Sequence, residues 1–381
     1  MSVQLQQGNR IDVGMKAIAG TGKAIAALRW EWQTLESQSH NVSYFTSWGW
    51  ISSVLQTPGS NCYCLRAEQA GQVVGLAILG YQPPSIQNGF NRELWLNKLG
   101  QPRLDQVWIE YNDFLLLGGN ESAVRSAMLQ GLHAQSVRSW TRLHLDMTNG
   151  FNQAFWSNAP FSVRIKAQDV GYVKHLSNEP DRLLASLSKN TRRQLSRSRR
   201  LLQPVIAEFN VWRQPEDKLA CFEAIARQHI AQWRDTQWGS GFDNPAFVTF
   251  HQALFSQPQV EITELKLISG ERAFLYNFLY RNTLYFYLSC VPKLADNKIK
   301  VGLVLHWMAM EHYAERGVTD YDFLAGDARY KRSMSDEAYE LRSLEVCRNT
   351  TLNKMTANLR GIKHNVARFL SSKAHTKQDS V

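Results

Sequence analysis

The feature that most constrains this chain is an order of elements that occurs twice. Residues 24–38 set Ile25, Leu28, Trp32 and Leu35 at helical spacing, and Trp48–Leu55 reads as a second helix stopped by Pro58-Gly59. Two strand-like runs, Asn61–Ala67 and Gln72–Leu79, flank Gln69-Ala70-Gly71, a hairpin signal. Shorter strand candidates at Leu94–Leu99 and Phe114–Leu117 follow. A helix at Ala123–Arg138, a strand at Arg142–Asp146, a helix near Phe151–Ser157 and a strand near Phe161–Lys166 close the first half.

The second half runs through the same order. A basic helix spans about Asp181 to Gln203, between Pro180 and Pro204, and a second spans Glu216 to about Trp233. A third, opened by Phe242-Asp243-Asn244-Pro245, runs through Leu254. A meander follows at Ile262–Ile268, Arg272–Tyr280 and Leu284–Ser289, turning at Ser269-Gly270-Glu271 and Arg281-Asn282. Then come a helix at Gly302–Arg316, a strand at Thr319–Phe323 and a last strand around Tyr339–Val346. The repeat carries no obvious residue identity between halves. It predicts two related α/β domains side by side, with two unrelated α+β domains as the alternative. A chain of 381 residues is also longer than most single cores.

Composition narrows the function classes. The hydrophobic fraction of 44% and charged fraction of 20% are those of a globular protein, and 12 Trp, 13 Tyr and 17 Phe argue for filled cores or a ligand groove rather than disorder. The net charge of +10 attracts anions in general, whether nucleic acid, acidic lipid, acidic polysaccharide or a phosphorylated cofactor. Seven Lys/Arg and no Asp or Glu lie between Arg182 and Arg200. Residues 350–381 are basic too, and Leu352, Met355, Leu359, Ile362, Val366 and Leu370 fall on one helical face there. Such a tail helix would pack back on the body or touch an acidic membrane surface or partner.

The five cysteines show no zinc-type spacing and read as buried free thiols in a reducing compartment; no metal is expected. Residues 1–22 are expected to be poorly ordered, without a secretory signal, and no apolar run is long enough to span a bilayer. A cytoplasmic protein is expected, one that visits the inner-membrane surface at most.

The loop Cys290–Val301 leads into the helix beginning near Gly302, whose free N–H groups would form an anion site. Gly302 permits close backbone approach, and Lys298 and Lys300 add positive charge at that mouth. An ordinary helix N-terminus is the plainer reading. On the basic helix Arg193, Arg197 and Arg200 share one face, either solvated or lining a groove for an anion. The absence of aromatics there argues against nucleic-acid binding.

Two segments taken together are more specific: Leu187–Arg200, with Lys189, Arg192 and Arg193, and Tyr321-Asp322-Phe323-Leu324-Ala325-Gly326-Asp327-Ala328-Arg329-Tyr330-Lys331. In this order they resemble the GNAT-like acyltransferases associated with bacterial cellulose and exopolysaccharide synthesis, the CelD/BcsL type. Asp322, Phe323, Gly326, Asp327, Tyr330, Lys331, Pro292, Gly302 and His229 match that pattern. Val291 stands where an acid is usual, Lys300-Val301 replaces Ser-Pro, and Ala325, Ala328 and Arg329 also depart.

The resemblance implies two tandem GNAT-like domains with mixed, mostly antiparallel sheets, at residues 23–175 and 176–348, followed by the basic tail 349–381. It implies acyl transfer, acetyl in the first instance, from acyl-CoA to an amino or hydroxyl group of a sugar, polysaccharide precursor or envelope metabolite. Acetyl-CoA or another acyl-CoA would lie at Lys298, Lys300, Val301, Gly302 and Leu303. Asp327 would take a proton or position an ammonium, Lys331 polarise the carbonyl, Tyr330 protonate the leaving thiolate, and His229 serve as a secondary site residue. Arg192 and Arg193 would bind an anionic substrate, and His306 has a weaker claim. The alternatives are a FemABX-like transferase using aminoacyl-tRNA, with tRNA as its nucleic-acid partner, and a non-catalytic module that binds polysaccharide-synthesis machinery.

Overall fold

The computed structural model describes residues 10–18, 22–134, 140–151, 161–235, 239–296 and 298–348. The helix expected near Phe151–Ser157, beyond Phe151 itself, and the tail helix of 352–370 lie outside the described residues.

Thirteen strands form one sheet. In the first half these are β1 (Ile11–Ala17), β2 (Cys62–Gln69), β3 (Gln72–Gln82), β4 (Glu93–Leu96), β5 (Leu115–Leu116), β6 (Arg142–Thr148) and β7 (Phe161–His175). In the second they are β8 (Ile206–Trp212), β9 (Val260–Leu267), β10 (Arg272–Tyr280), β11 (Thr283–Cys290), β12 (Asp320–Ala325) and β13 (Glu337–Arg348). The helices are α1 (Gly22–Gln38), α2 (Trp48–Gln56), α3 (Glu121–Ala134), α4 (Pro180–Ala185), α5 (Lys189–Leu202), α6 (Pro215–Trp233), α7 (Pro245–Leu254), α8 (Val301–Glu315) and α9 (Arg329–Met334).

The strand order is β1-β2-β3-β4-β6-β13-β7-β12-β11-β10-β9-β8, with β5 beside β3. Its two halves mirror one another. Each has an antiparallel run followed by one parallel pair, β4 with β6 and β11 with β12. At the centre the last strands are exchanged: β13 pairs with β6 of the first half, and β7 pairs with β12 of the second. β7 and β13 also pair with each other along Phe161–Val173 and Glu337–Arg348. Residues 23–175 and 176–348 are therefore interlocked, because each completes the other's sheet.

Three buried clusters hold this arrangement. α1 and α2 face α6 and α7 across an aromatic core that includes Trp32, Trp50, Phe222 and Tyr276. A second cluster lies under α5 and α8, and a third under α3. Aromatic side chains of this size each remove roughly 150–250 Å² from water, so the first cluster ties the halves together strongly.

Several elements depart from the sequence expectation. β1 lies inside the segment expected to be poorly ordered, where it pairs along β2 from Ile11–Gln69 to Ala17–Tyr63. The single basic helix is two: the first ends at Ala185 with Ser186 as its C-cap, and Ser188 caps the next, accepting the Thr191 N–H at 3.2 Å. α9 forms at Arg329–Met334, where no element was expected from the sequence. The five cysteines are free, as expected.

Candidate functional site

Between β11 and β12 the sheet comes apart. The two strands pair only at Thr283–Asp320, Leu284–Tyr321 and Tyr285–Asp322. Beyond these β11 stays with β10, while β12 turns away to β7 and rejoins a ladder at Ala325–Gly171, past a bulge. The result is a wedge whose walls begin at Phe286 and Phe323.

One side of the wedge opens into a cavity of about 760 Å³ beneath the start of α8. Lys300, Val301, Gly302, Leu303, His306 and Tyr330 are among its lining residues. The Val304 N–H makes the first bond of the helix, to the Lys300 carbonyl at 3.2 Å, which leaves the N–H groups of Val301, Gly302 and Leu303 without intrahelical partners. A Cβ on Gly302 would meet Val291 at an ordinary 3.4 Å. Packing within the protein therefore does not demand glycine there; a larger side chain would project into the cavity.

The neighbouring groove is lined by Asn190, Arg193, Gln194, Arg197, Lys298, Lys300 and Arg329. Among the described residues no carboxylate lines either space. α5 is fixed against this mouth by Ser198, which accepts the Lys300 N–H at 3.1 Å. Burial, with help from Lys331, lowers His306 to about 3, so its ring is neutral. It bonds Tyr321 at 2.7 Å and stacks on Tyr330. Burial raises the Tyr330 hydroxyl, which stays protonated and able to donate.

On the other side of the wedge lies a cluster drawn from both halves. The strand direction explains why: Tyr321 and Phe323 face α8, while Leu324 belongs to the core between the halves. Asp322 accepts from Tyr111 and Tyr339, the latter at 2.8 Å, and from the Leu324 N–H at 2.8 Å. Burial still pushes its carboxyl up to about 6.

Glu110 Oε2 accepts the Ala325 N–H at 2.8 Å, and burial pushes this carboxyl up to about 8. Lys331 is buried beneath the bulge, its Nζ donating to the carbonyls of Leu324 at 3.3 Å and Ala325 at 2.5 Å. Burial lowers its pKa, against the pull of Glu110, Asp322 and Asp169.

The backbone is specialised here. Leu324, Tyr111 and Trp108 have φ of 57, 48 and 42°, a region unfavourable to bulky residues and frequent at functional sites. Gly326, at φ 114°, has Lys331 Nζ 3.3 Å from where a Cβ would stand. Gly171 leaves room for the Tyr339 ring, which a Cβ would approach to 2.1 Å.

The sequence-predicted residues thus separate into groups. Lys300, Val301, Gly302, Leu303 and Tyr330 line the cavity, with Lys298 and Arg193 on the adjoining groove. Lys331 reaches the wedge, but as the staple of the bulge. Asp327 does not join the cluster: it is exposed, bound by Tyr172 at 2.7 Å and by Arg332. Those two bonds hold its carboxyl below the usual range, which weakens it as a base.

Arg192 is turned back onto α4, donating to the Ala185 carbonyl at 2.8 Å. His229 sits on α6, stacked on Trp233 and bonded to Ser240 at 2.8 Å, and burial lowers its pKa. It lines neither cavity described above.

Glu110, Tyr111 and Tyr339 were missed. The first two lie in a loop of the other half, more than two hundred residues from Asp322, and no local spacing marks them. Among the described residues no cluster of His, Cys, Asp and Glu could hold a metal, and no helix is long and apolar enough to cross a membrane.

Comparison with known proteins agrees with this geometry. Residues 189–332, from α5 through α9, match the acetyltransferase (GNAT) domain family model. No curated protein sequence matches the chain. Among solved structures, FemX superposes with a TM-score of 0.60 at 11% identity, covering 89% of this chain and 99% of FemX. L-PGS from Bacillus licheniformis does so at 0.52 and 12%, covering 86% and 94% of the two chains.

The C-terminal domain of a putative lysylphosphatidylglycerol synthetase from Agrobacterium fabrum gives 0.52 and 11%, covering 88% and 95%. At these identities the likenesses speak to fold alone, and they extend it over both halves. The fold is α/β with GNAT-like architecture, and residues 189–332 carry the match to a GNAT acetyltransferase domain, which supports a transferase.

Proposed function

We propose that the chain transfers an acyl group, acetyl in the first instance, from acyl-CoA to an amino or hydroxyl group of a sugar, polysaccharide precursor or other envelope metabolite. The observation that carries this reading is the wedge between β11 and β12, opening onto the start of α8 among cations and, among the described residues, no carboxylate. Free N–H groups at a helix start, together with Lys298, Lys300, Arg193 and Arg197, suit the phosphates of such a donor. The gap in the sheet suits a narrow arm ending in a thioester. Acyl transfer then needs alignment of the attacking group, a proton acceptor and stabilisation of the carbonyl oxygen. Tyr330, at the cavity wall, is suited to donate its proton to the departing sulfur, and the buried charge of Lys331 favours negative charge developing near the bulge.

The polysaccharide setting rests on the motifs around Lys189–Arg193 and Asp322–Lys331, and a place beside the inner membrane on the basic sequence of residues 350–381; both are part of the proposal. An aminoacyl-tRNA donor would use the same cations. The likeness to FemX is one of fold and does not favour it over acyl-CoA.

Calorimetric titration of the full chain with acetyl-CoA and longer acyl-CoAs, repeated with Gly302→Trp, tests the reading. We expect saturable binding that the substitution removes. Absence of binding by any acyl-CoA, with steeply salt-dependent binding of aminoacyl-tRNA instead, would replace it.

A further inference from the structure

We propose that Glu110, carried to the wedge by the N-terminal half, is the catalytic proton acceptor and that the attacking group is a primary amine arriving on the face opposite the cavity. This deepens the acyl-transfer reading and rests on it.

Position is the first argument. Glu110 enters with Val107 and Ile109, both part of the core between the halves, whereas the cavity lies on the α8 side. Its Oε2 is anchored by the Ala325 N–H, where β12 leaves β11. Its Oε1 has no hydrogen-bond partner among the described residues and is not one of their occluded unpartnered atoms. One oxygen is thus fixed and the other available.

The second argument is elimination among neighbouring carboxylates. Asp322 already accepts three donors. Asp169 bonds the N–H of its own neighbour Val170, at 2.7 Å on β7, whereas Glu110 is tied to β12 at the bulge itself. Asp327 points outward into its pair with Arg332.

The third is charge. Among the described residues the only charged side chains lining the cavity face are cations, while Glu110, Asp169 and Asp322 gather on the other side around Lys331. An anionic donor and a cationic acceptor are thereby drawn to opposite faces. Two phenols also face Glu110, Tyr339 of β13 and Tyr287 of β11. A carboxyl raised to about 8 also matches an ammonium better than an ordinary carboxylate does. Trp108, two residues earlier and 43% exposed, supplies an aromatic surface beside the approach.

The step balances. The acceptor ammonium gives one proton to the Glu110 carboxylate. Its nitrogen bonds to the acyl carbon, the carbon–sulfur bond breaks, and the second nitrogen proton leaves with the sulfur as thiol.

CoA release from acetyl-CoA is followed for the full-length wild type, Glu110→Gln and Glu110→Asp. The acceptors are a set of primary amines (glucosamine, lysine and putrescine), glucose as the hydroxyl counterpart of glucosamine, and water alone. Acetyl-CoA affinity is measured in parallel. Glutamine keeps an acceptor for the Ala325 N–H, and the shorter aspartate keeps the ionisable group. We expect an amine, and not glucose, to raise release above the water rate. Glu110→Gln should lower kcat on the order of 10²–10⁴-fold with acetyl-CoA affinity unchanged, and should abolish the rising limb of the pH profile. Glu110→Asp should restore part of the rate and the limb. Full rate and an intact limb in Glu110→Gln, or no amine exceeding water, overturns the proposal while leaving acyl-CoA binding in place. Absence of acetyl-CoA binding by the wild type overturns the underlying reading and this proposal with it.

Discussion

The two halves treat the same gap differently. In the second half β11 and β12 part after three paired positions and the space between them stays open. In the first half β4 and β6 likewise pair in parallel over three positions, Glu93–Arg142, Leu94–Leu143 and Trp95–His144. There the gap is filled. β4 stops at Leu96, and the chain returns so that Asn112 closes the wedge. Asn112 donates its N–H to the Met147 carbonyl at 3.2 Å and its side-chain amide to the Leu96 carbonyl at 2.9 Å. Asn97 Nδ2 donates to Asn112 Oδ1 at 3.0 Å, and Arg125 grips Asp113 beside it.

The helix starts differ in the same sense. α8 begins behind Lys298 and Lys300, whereas α3 begins with Glu121, whose own carboxylate meets the positive end of the helix and is held below its usual pKa by backbone N–H bonds. One half leaves the wedge open; the other has filled it with a loop, and that same loop carries Glu110 across to the open one.

The contrast can be attacked at several points. The largest effect should come from paired substitutions at the second residue of each helix. Gly302→Trp should weaken acetyl-CoA binding by about 100-fold or more, roughly 3 kcal/mol, while Ser122→Trp on α3 leaves it unchanged; calorimetry on both reads the difference. If both weaken it equally, the halves are not functionally distinct.

Next, Asn112→Ala removes the side-chain donor to the Leu96 carbonyl and leaves one Asn97 amide hydrogen unpaired in a buried site, the other still bonded to the Asp113 carbonyl. It should cost about 2–4 kcal/mol in denaturant unfolding, and a loss within the noise would mean the plug is ornamental.

A pH effect of a few kcal/mol at most should follow from the carboxyls of the wedge. Glu110 and Asp322 are raised to about 8 and about 6 from ordinary values of 4.5 and 3.8. Both bind their protons more tightly when folded. The stability they contribute is therefore complete below the unfolded values and is lost as pH rises, over 4.5 to 8 for Glu110 and 3.8 to 6 for Asp322. Melting temperatures of wild type and Glu110→Gln should diverge between acidic and mildly alkaline buffer, with the wild type losing more. The smallest effect is expected for Arg197→Ala, about 3–10-fold in acetyl-CoA affinity at low salt and less at high salt.

The meander was legible because β9, β10 and β11 are short, largely buried runs rich in β-forming residues, divided by turns at Gly270 and Asn282. The helix start at Val301–Leu303 was legible because charge and glycine mark it. β1 was not. It is an edge strand with mostly exposed side chains, so it offers no apolar run to read. Asp327, Tyr330 and Lys331 are close in sequence, which suggested one site. Once α9 winds, they point three ways: outward, into the cavity and under the bulge. Glu110 carries no local signal, since its burial and its hydrogen bond come entirely from a strand supplied by the opposite half.

The exchange of β7 and β13 has a consequence for synthesis. When residues 1–175 have left the ribosome, β6 still lacks its outer neighbour, because that neighbour is β13, almost two hundred residues downstream. β7, meanwhile, waits for β12. The part made first is therefore completed last, and its central strands remain open edges until nearly the whole chain has emerged. Such long-range pairing slows folding and exposes unpaired strand edges to other chains. Separately expressed halves should carry the same open edges permanently and find one another, or their own kind, in solution.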